Sequence, residues 1–245
     1  MIDVAQSGAV VTLTLDDCTP LSRHDIGFAL ELRDAVRDSA DSDQVKAIVI
    51  RANGDFAPPS CAKDQQVAAH VRGTRRQAWN AAYCAPSGLY QNLAYCKKFI
   101  VTAVRGECAG AGSMLVLCSD FTVCAVDSRF AAPFSTLPES SLVLAALTMR
   151  LNRAKSWMLD GQPWTSAQAV NAGLVNRAVA ADRVDAEAFQ AAESAARMPL
   201  DGVAMTKLLL EAYLDTQGVG QDFDLAGFHA DALQAAMAQS RGTTA

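Results

Sequence analysis

The stretch from Lys97 to Phe134, KKFIVTAVRGECAGAGSMLVLCSDFTVCAVDSRFAAPF, decides how the rest of the chain is read. Its opening, Phe99–Val104 (FIVTAV), is apolar and rich in β-branched residues, the composition of a buried strand. Gly106 follows, and then Ala109, Gly110, Ala111 and Gly112 leave the backbone bare before an apolar helix that takes shape over Met114–Cys118. A second strand reads at Phe121–Val126. A strand that passes through glycines into a helix aims unpaired N–H groups and the positive end of a helix dipole at one point in space. Such a turn can receive an anion or the oxygen of a polarised carbonyl. Small residues at a strand-to-helix turn also serve close packing alone, and the turn by itself leaves both readings open.

Working outward, residues 9–15 (AVVTLTL) alternate as a strand does, and Val45–Arg51 (VKAIVIR) is a strand of the same kind. A helix lies between them, with Ser22 as its N-cap and Ile26, Leu30, Ala35 and Val36 as its apolar stripe. Asn53–Asp64 (NGDFAPPSCAKD) is dense in turn residues and reads as a loop, after which residues 66–98 read as helical. From Ser166 the pattern is almost wholly helical, and Met198–Gly202 (MPLDG) marks a break. The expected organisation is a core over residues 1–198 and a helical region over 199–245. The β–β–α order fits neither a doubly wound nucleotide-binding fold nor a barrel.

Composition narrows the class. With 245 residues, 51% hydrophobic and 19% charged, the chain can bury a substantial core. A net charge of −5 speaks against a nucleic-acid-binding surface. The seven cysteines form no CxxC pair and are odd in number, so neither a disulfide framework nor a metal site is expected. The N-terminus MIDVAQSGAVVTLTLDD lacks the basic start and apolar run of an export signal, and no apolar run has the length of a membrane span. A cytoplasmic enzyme that touches no membrane is the expectation.

The segment Lys97–Phe134 resembles a block of the crotonase (enoyl-CoA hydratase/isomerase) superfamily. In that block a lysine–proline pair and strand precede a glycine triplet, a helix, a Cys–Asp pair, a strand and a phenylalanine-led loop. Lys97-Lys98, Gly110-Ala111-Gly112, Ser119-Asp120 and Phe130-Ala131-Ala132-Pro133 stand in those places. Thr19-Pro20-Leu21-Ser22, the strand Val45–Arg51, and LDGQPWTSAQAVNAGLVNRAV from Leu159 to Val179 are similar to further blocks of the same family, in the same order. The resemblance implies an α/β fold, the ClpP/crotonase-like spiral of ββα units with a C-terminal helical trimerisation region. It also implies an acyl thioester substrate, carried by coenzyme A or by an acyl carrier protein, with no permanently bound cofactor. A homotrimer or hexamer is the implied assembly.

Residue by residue, the resemblance places one oxyanion-hole N–H at Ala111. The second falls in Phe56-Ala57-Pro58-Pro59-Ser60-Cys61, where the family has a glycine and this chain has Pro59. Proline has no N–H to give, so Ser60 is the donor and Cys61 the alternative. Cys61, Met114, Phe134 and Leu137 would line the acyl pocket, and Ala62, Lys63 and Lys207 would meet the coenzyme A moiety, with Arg72, Arg75 and Arg76 as further cations.

Hydratases of this family carry a pair of glutamates, one to activate water and one to deliver a proton. Met114 and Phe134 occupy those two positions here, and neither can move a proton. Moving a double bond from the 3,4 to the 2,3 position needs a single base, while the oxyanion hole holds the enolate. The loop FAAPFSTLPESS (Phe130–Ser141) resembles that of the peroxisomal-type Δ3,Δ2-enoyl-CoA isomerases, and Glu139 matches their base. The loop is shorter after Leu137 and lacks the glycine after the glutamate. Glu139 as a solvent-facing residue remains a second reading, as does Glu107 facing either pocket or solvent. Three functions follow: an isomerase; another crotonase reaction such as decarboxylation, thioester hydrolysis or carbon–carbon bond chemistry; and a thioester-binding protein without activity.

Overall fold

The computed structural model describes residues 2–16, 25–56, 88–133 and 142–223. In chain order the first half contains β1 (Ile2–Ser7), β2 (Val10–Leu15), α1 (Ile26–Asp41), β3 (Ala47–Ala52), α2 (Leu89–Ala94), β4 (Phe99–Val104), β5 (Glu107–Cys108) and α3 (Ala111–Cys118). Then come β6 (Phe121–Ala125), β7 (Arg129–Phe130), α4 (Leu142–Thr148), α5 (Leu151–Asp160), β8 (Trp164–Thr165), α6 (Ser166–Ala172) and β9 (Arg177–Val179). A 3-10 turn at Ala181–Arg183 leads into α7 (Val184–Ala196), and α8 (Leu200–Thr216) follows.

The main sheet has the order β1-β2-β3-β4-β6-β9, with β1 antiparallel to β2 and every later pair parallel. A small second sheet joins β5, β7 and β8. Parallel strands covered on both faces read as continuous apolar runs, and β3 and β4 do so for that reason. On one face Ile48, Ile50, Ile100 and Val104 meet Leu32 and Val36 of α1, Leu89 and Leu93 of α2, and Met114 and Leu115 of α3. On the other, Val49, Val101, Ala103 and Val123 meet Val184, Ala188 and Ala192, the small-residue stripe of α7. Each fully buried Leu, Ile or Phe of these two layers contributes about 1.5–3 kcal/mol. Three polar strand residues, Thr14, Thr102 and Thr122, are buried among the described residues, and Thr102, fully buried, shares a hydrogen bond with the Ser119 hydroxyl.

The strand Phe99–Val104 lies where the sequence places it, and the α/β architecture is the expected one. The start of α1 differs from expectation. Its N-cap is Asp25, whose carboxylate accepts the Phe28 N–H at 2.9 Å, so Ser22 does not fill that role. β1 also went unread. Almost all of it is exposed, so it carries no alternation to detect, and it forms by pairing with β2. α8 begins within the Met198–Gly202 break.

Candidate active site

The turn after β4 is built by two glycines with positive φ. Gly106 has φ 61°, and a Cβ there would stand 1.7 Å from Asp55 Oδ1, so the position accepts no side chain as the site stands. Gly110, at φ 50° and ψ −121°, turns the chain from β5 into α3. Ala111 is the first residue of that helix and is fully buried. Gly112 N–H bonds to Ala109 C=O at 2.9 Å and Met114 N–H to Gly110 C=O at 3.1 Å. The Ala111 N–H makes no hydrogen bond to any described residue. First-turn amides have no acceptor within their own helix, and a buried one requires a partner from elsewhere. All eight residues of α3 are buried, so the dipole behind this N–H is poorly screened.

The first loop of the expected oxyanion hole leaves from β3 beside this turn. Phe56 N–H donates to Arg105 C=O at 2.9 Å, and Asp55 lies against Gly106. The two loops are therefore laced together at their roots. Ser60, Cys61, Ala62 and Lys63 lie outside the described residues, as do Arg72, Arg75 and Arg76.

The third loop, expected to carry the base, starts from an equally fixed point. Trp157 Nε1 donates to Phe130 C=O at 3.0 Å, the Ser113 hydroxyl to Ala131 C=O at 2.6 Å, and Ala131 N–H to Cys108 C=O at 2.9 Å. Phe134, Leu137 and Glu139 lie beyond it, outside the described residues. Met114 is wholly buried one turn into α3, on the sheet side. A buried thioether holds no exchangeable proton, and it keeps an apolar wall next to the Ala111 turn.

Lys207 is placed away from that turn. Its ammonium lies 2.5 Å from Asp120 Oδ1, whose other oxygen accepts the Ile100 N–H at 2.8 Å. Both sit at the end of α3 remote from Ala111, roughly 12 Å along an eight-residue helix. Within this chain, then, Lys207 serves to tie α8 to the start of β4, and the structure does not bring it to Ala111. Asp120 thereby joins α8 and β4 through one carboxylate. Of the tyrosines, Tyr90 is buried in the α2 packing and the Tyr95 hydroxyl donates to Asp215 at 2.7 Å. Cys96, Cys108, Cys118 and Cys124 are buried and form no disulfide. Burial pushes the Cys124 thiol up to about 12, with the nearby Asp127 charge adding to it, and burial likewise raises Cys96. Neither can serve as a thiolate nucleophile near neutral pH. No cluster of three or more metal-ligating side chains occurs among the described residues, and none of their helices is long and apolar enough to cross a membrane.

Three contributors went unseen in the sequence: Ser113, Trp157 and the carboxylate of Asp185, which bonds to Arg51 and Arg105 at 2.7 and 2.8 Å. A signal for the last existed. Arg51 and Arg105 each continue the apolar face of a strand, two residues past Val49 and Ala103, where a charge must find a partner.

Comparison with known proteins agrees with this geometry. The chain is 29% identical over 211 residues to a probable enoyl-CoA hydratase of Rhizobium meliloti, covering 83% of this chain and 78% of that protein. It is also 29% identical over 206 residues to the 2,3-dehydroadipyl-CoA hydratase of Escherichia coli, covering 79% and 75%. Among solved structures, an enoyl-CoA hydratase/isomerase from Pseudoalteromonas atlantica superposes with a TM-score of 0.77 at 25% identity, over 94% of this chain and 90% of that one. One from Mycobacterium paratuberculosis gives 0.78 at 24% identity, over 94% and 91%, a likeness of fold. The enoyl-CoA hydratase/isomerase family profile matches residues 5–241, and with the glycine turn, the laced loops and the largely parallel sheet in place, the chain belongs to that family, within the crotonase superfamily.

Proposed function

We propose that the protein binds an acyl-CoA thioester and stabilises its enolate, working as an enoyl-CoA isomerase and not as a hydratase. The observation that carries this reading is the start of α3. A buried N–H at Ala111 has no acceptor among the described residues, and Met114, buried three positions on, is the residue that the family resemblance sets at the first glutamate position of a hydratase. The N–H can meet a developing oxyanion, and the thioether cannot activate water. Ser60, or Cys61 in its place, would give the second N–H, and Glu139 would move the proton between C2 and C4. Cys61, Phe134 and Leu137 would complete an apolar pocket around the acyl chain.

The curated relatives carry hydratase names, which favours hydration as the second reading. The two are separated by assaying a 3-enoyl-CoA for allylic isomerisation and a 2-enoyl-CoA for hydration. Isomerisation that is lost in Glu139→Gln, with hydration absent, is the expected result. Hydration by the wild type at a rate typical of its relatives would refute the proposal. Isomerisation that survives Glu139→Gln would refute the assigned base.

Residues 199–245 are proposed as a helical region that joins copies of the chain into a trimer or hexamer. Leu208, Leu209, Leu210 and Tyr213 of α8 support this, each at least half exposed and Leu209 71% exposed. An apolar surface of that extent in water is usually covered. Coenzyme A is the carrier named for the relatives, and an acyl carrier protein is the alternative. Lys63 and Ala62 are proposed to meet the carrier, and a cytoplasmic setting is proposed for the reaction.

A further inference from the structure

The end of the sheet that carries the Ala111 turn also carries an ionic strut. Arg51 and Arg105 stand at the C-terminal ends of β3 and β4, on the face covered by α7. They converge on one carboxylate in the first turn of that helix. Arg51 Nη1 donates to Asp185 Oδ2 at 2.7 Å and Arg105 Nη1 to Asp185 Oδ1 at 2.8 Å. Each guanidinium has a second anchor, Arg51 Nε on the Thr14 hydroxyl and Arg105 Nε on Ala181 C=O, both at 3.0 Å. One aspartate thereby connects β2, β3, β4 and the turn before α7. Burial disfavours its charge, but the arginines outweigh that and hold the Asp185 carboxyl below its ordinary range, so the bridge is ionised at neutral pH.

Arg105 reaches the site through its own backbone. Its C=O accepts the Phe56 N–H, and the next residue, Gly106, lies under Asp55. Phe56 is the root of the loop that carries Ser60, and Ala111 follows Gly106 by one short strand and the Gly110 turn. A shift of the β4 end relative to β3 would therefore move both donors.

The geometry points to Asp185 as a positioning residue for the oxyanion hole. By holding Arg51 and Arg105 it sets the spacing of the two strand ends from which the donor loops leave. This rests on the oxyanion reading of the site and adds to it a residue far from the substrate. A carboxylate serving stability alone would lower the melting temperature on removal and leave the site's electrostatics intact.

The test uses acetoacetyl-CoA, a β-ketoacyl thioester whose enolate has its own ultraviolet absorbance. Bound between two N–H donors, its enolate forms at lower pH than in water. The full chain is compared with Asp185→Asn, Asp185→Glu and Glu187→Gln. Glu187 binds Arg177 and Arg183 on the same helix, but neither arginine touches the donor strands. The expected result is about tenfold less enolate at a given pH in Asp185→Asn, one unit in the bound ligand's pKa, with partial recovery in Asp185→Glu. Glu187→Gln should lose stability and keep the wild-type enolate fraction. A wild-type enolate fraction in Asp185→Asn overturns the inference, whatever its melting temperature. If Asp185→Asn does not fold, Arg51→Gln, which leaves the Arg105 pair, carries the test: less enolate supports the role, and an unchanged fraction overturns it. A wild-type protein that binds acetoacetyl-CoA without promoting its enolate refutes the oxyanion reading and this inference together.

Discussion

Gly106→Ala should destabilise the protein by about 2–3 kcal/mol, and the structure supplies each part of that figure. At φ 61° a residue with a Cβ pays about 1–2 kcal/mol for the left-handed conformation. The new Cβ would also stand 1.7 Å from Asp55 Oδ1 and 2.8 Å from its Cγ, so that side chain must swing away. Asp55 Cα, at 3.4 Å, can stay where it is. Disturbing Asp55 loosens the neighbouring Phe56 N–H bond to Arg105 C=O, worth about 0.5–1.5 kcal/mol net. Urea unfolding followed by circular dichroism reads the sum, and a thermal melt should fall by roughly 5–10 °C. In an Asp55→Ala background the clash is gone and the same substitution should cost only the backbone strain, about 1–2 kcal/mol. A cost below about 0.5 kcal/mol, or an equal cost in both backgrounds, would show that the loops are not laced at this point.

Trp157→Phe keeps the ring in place but leaves Phe130 C=O without its donor, and should cost about 1–3 kcal/mol in unfolding experiments. It should also lower the proposed isomerase activity, because the carbonyl it releases lies at the root of the loop that carries Glu139. Cys96 and Cys124 should resist a thiol reagent at pH 8 in the native protein and react once it is unfolded, read by the kinetics of labelling; fast native labelling would contradict their raised pKa values. The Asp185 carboxyl is depressed in the folded state, so its contribution is complete above the unfolded pKa of about 3.9 and disappears as pH falls through the lower folded value. Unfolding curves of wild type and Asp185→Asn should accordingly differ at pH 7 and converge in acid; a gap that widens as pH falls would contradict the ion pairs.

Local signals in the chain were read correctly where a residue's partner is its neighbour. Phe99–Val104 announced itself by composition, and Gly106 and Gly110 marked a turn that positive φ explains. Distance in sequence defeated the rest. Asp185 meets Arg105 and Arg51 across 80 and 134 positions, and no spacing rule ties them. Lys207 was expected to meet the coenzyme A moiety, but Asp120, 87 residues earlier, pairs with its ammonium in this chain. The Asp25 cap beat Ser22 because it lies three residues before Phe28, the span an N-cap carboxylate needs. What the fold adds to the glycine motif is its surroundings: a helix buried on all sides, Met114 one turn in, and two loops tied at their roots.

The central claim is that the Ala111 N–H polarises the carbonyl of a bound thioester. The direct measurement is the infrared stretch of a 13C-labelled acyl-CoA carbonyl, compared free and bound, in the wild type and in Ala111→Pro. Proline is tolerated at the first position of a helix and removes the N–H, and because its ring adds carbons at a fully buried position, acyl-CoA affinity is measured alongside the stretch. The account predicts a shift to lower frequency on binding that is largely lost in Ala111→Pro. A carbonyl that binds with its solution frequency, or one that shifts equally in both proteins, would contradict it.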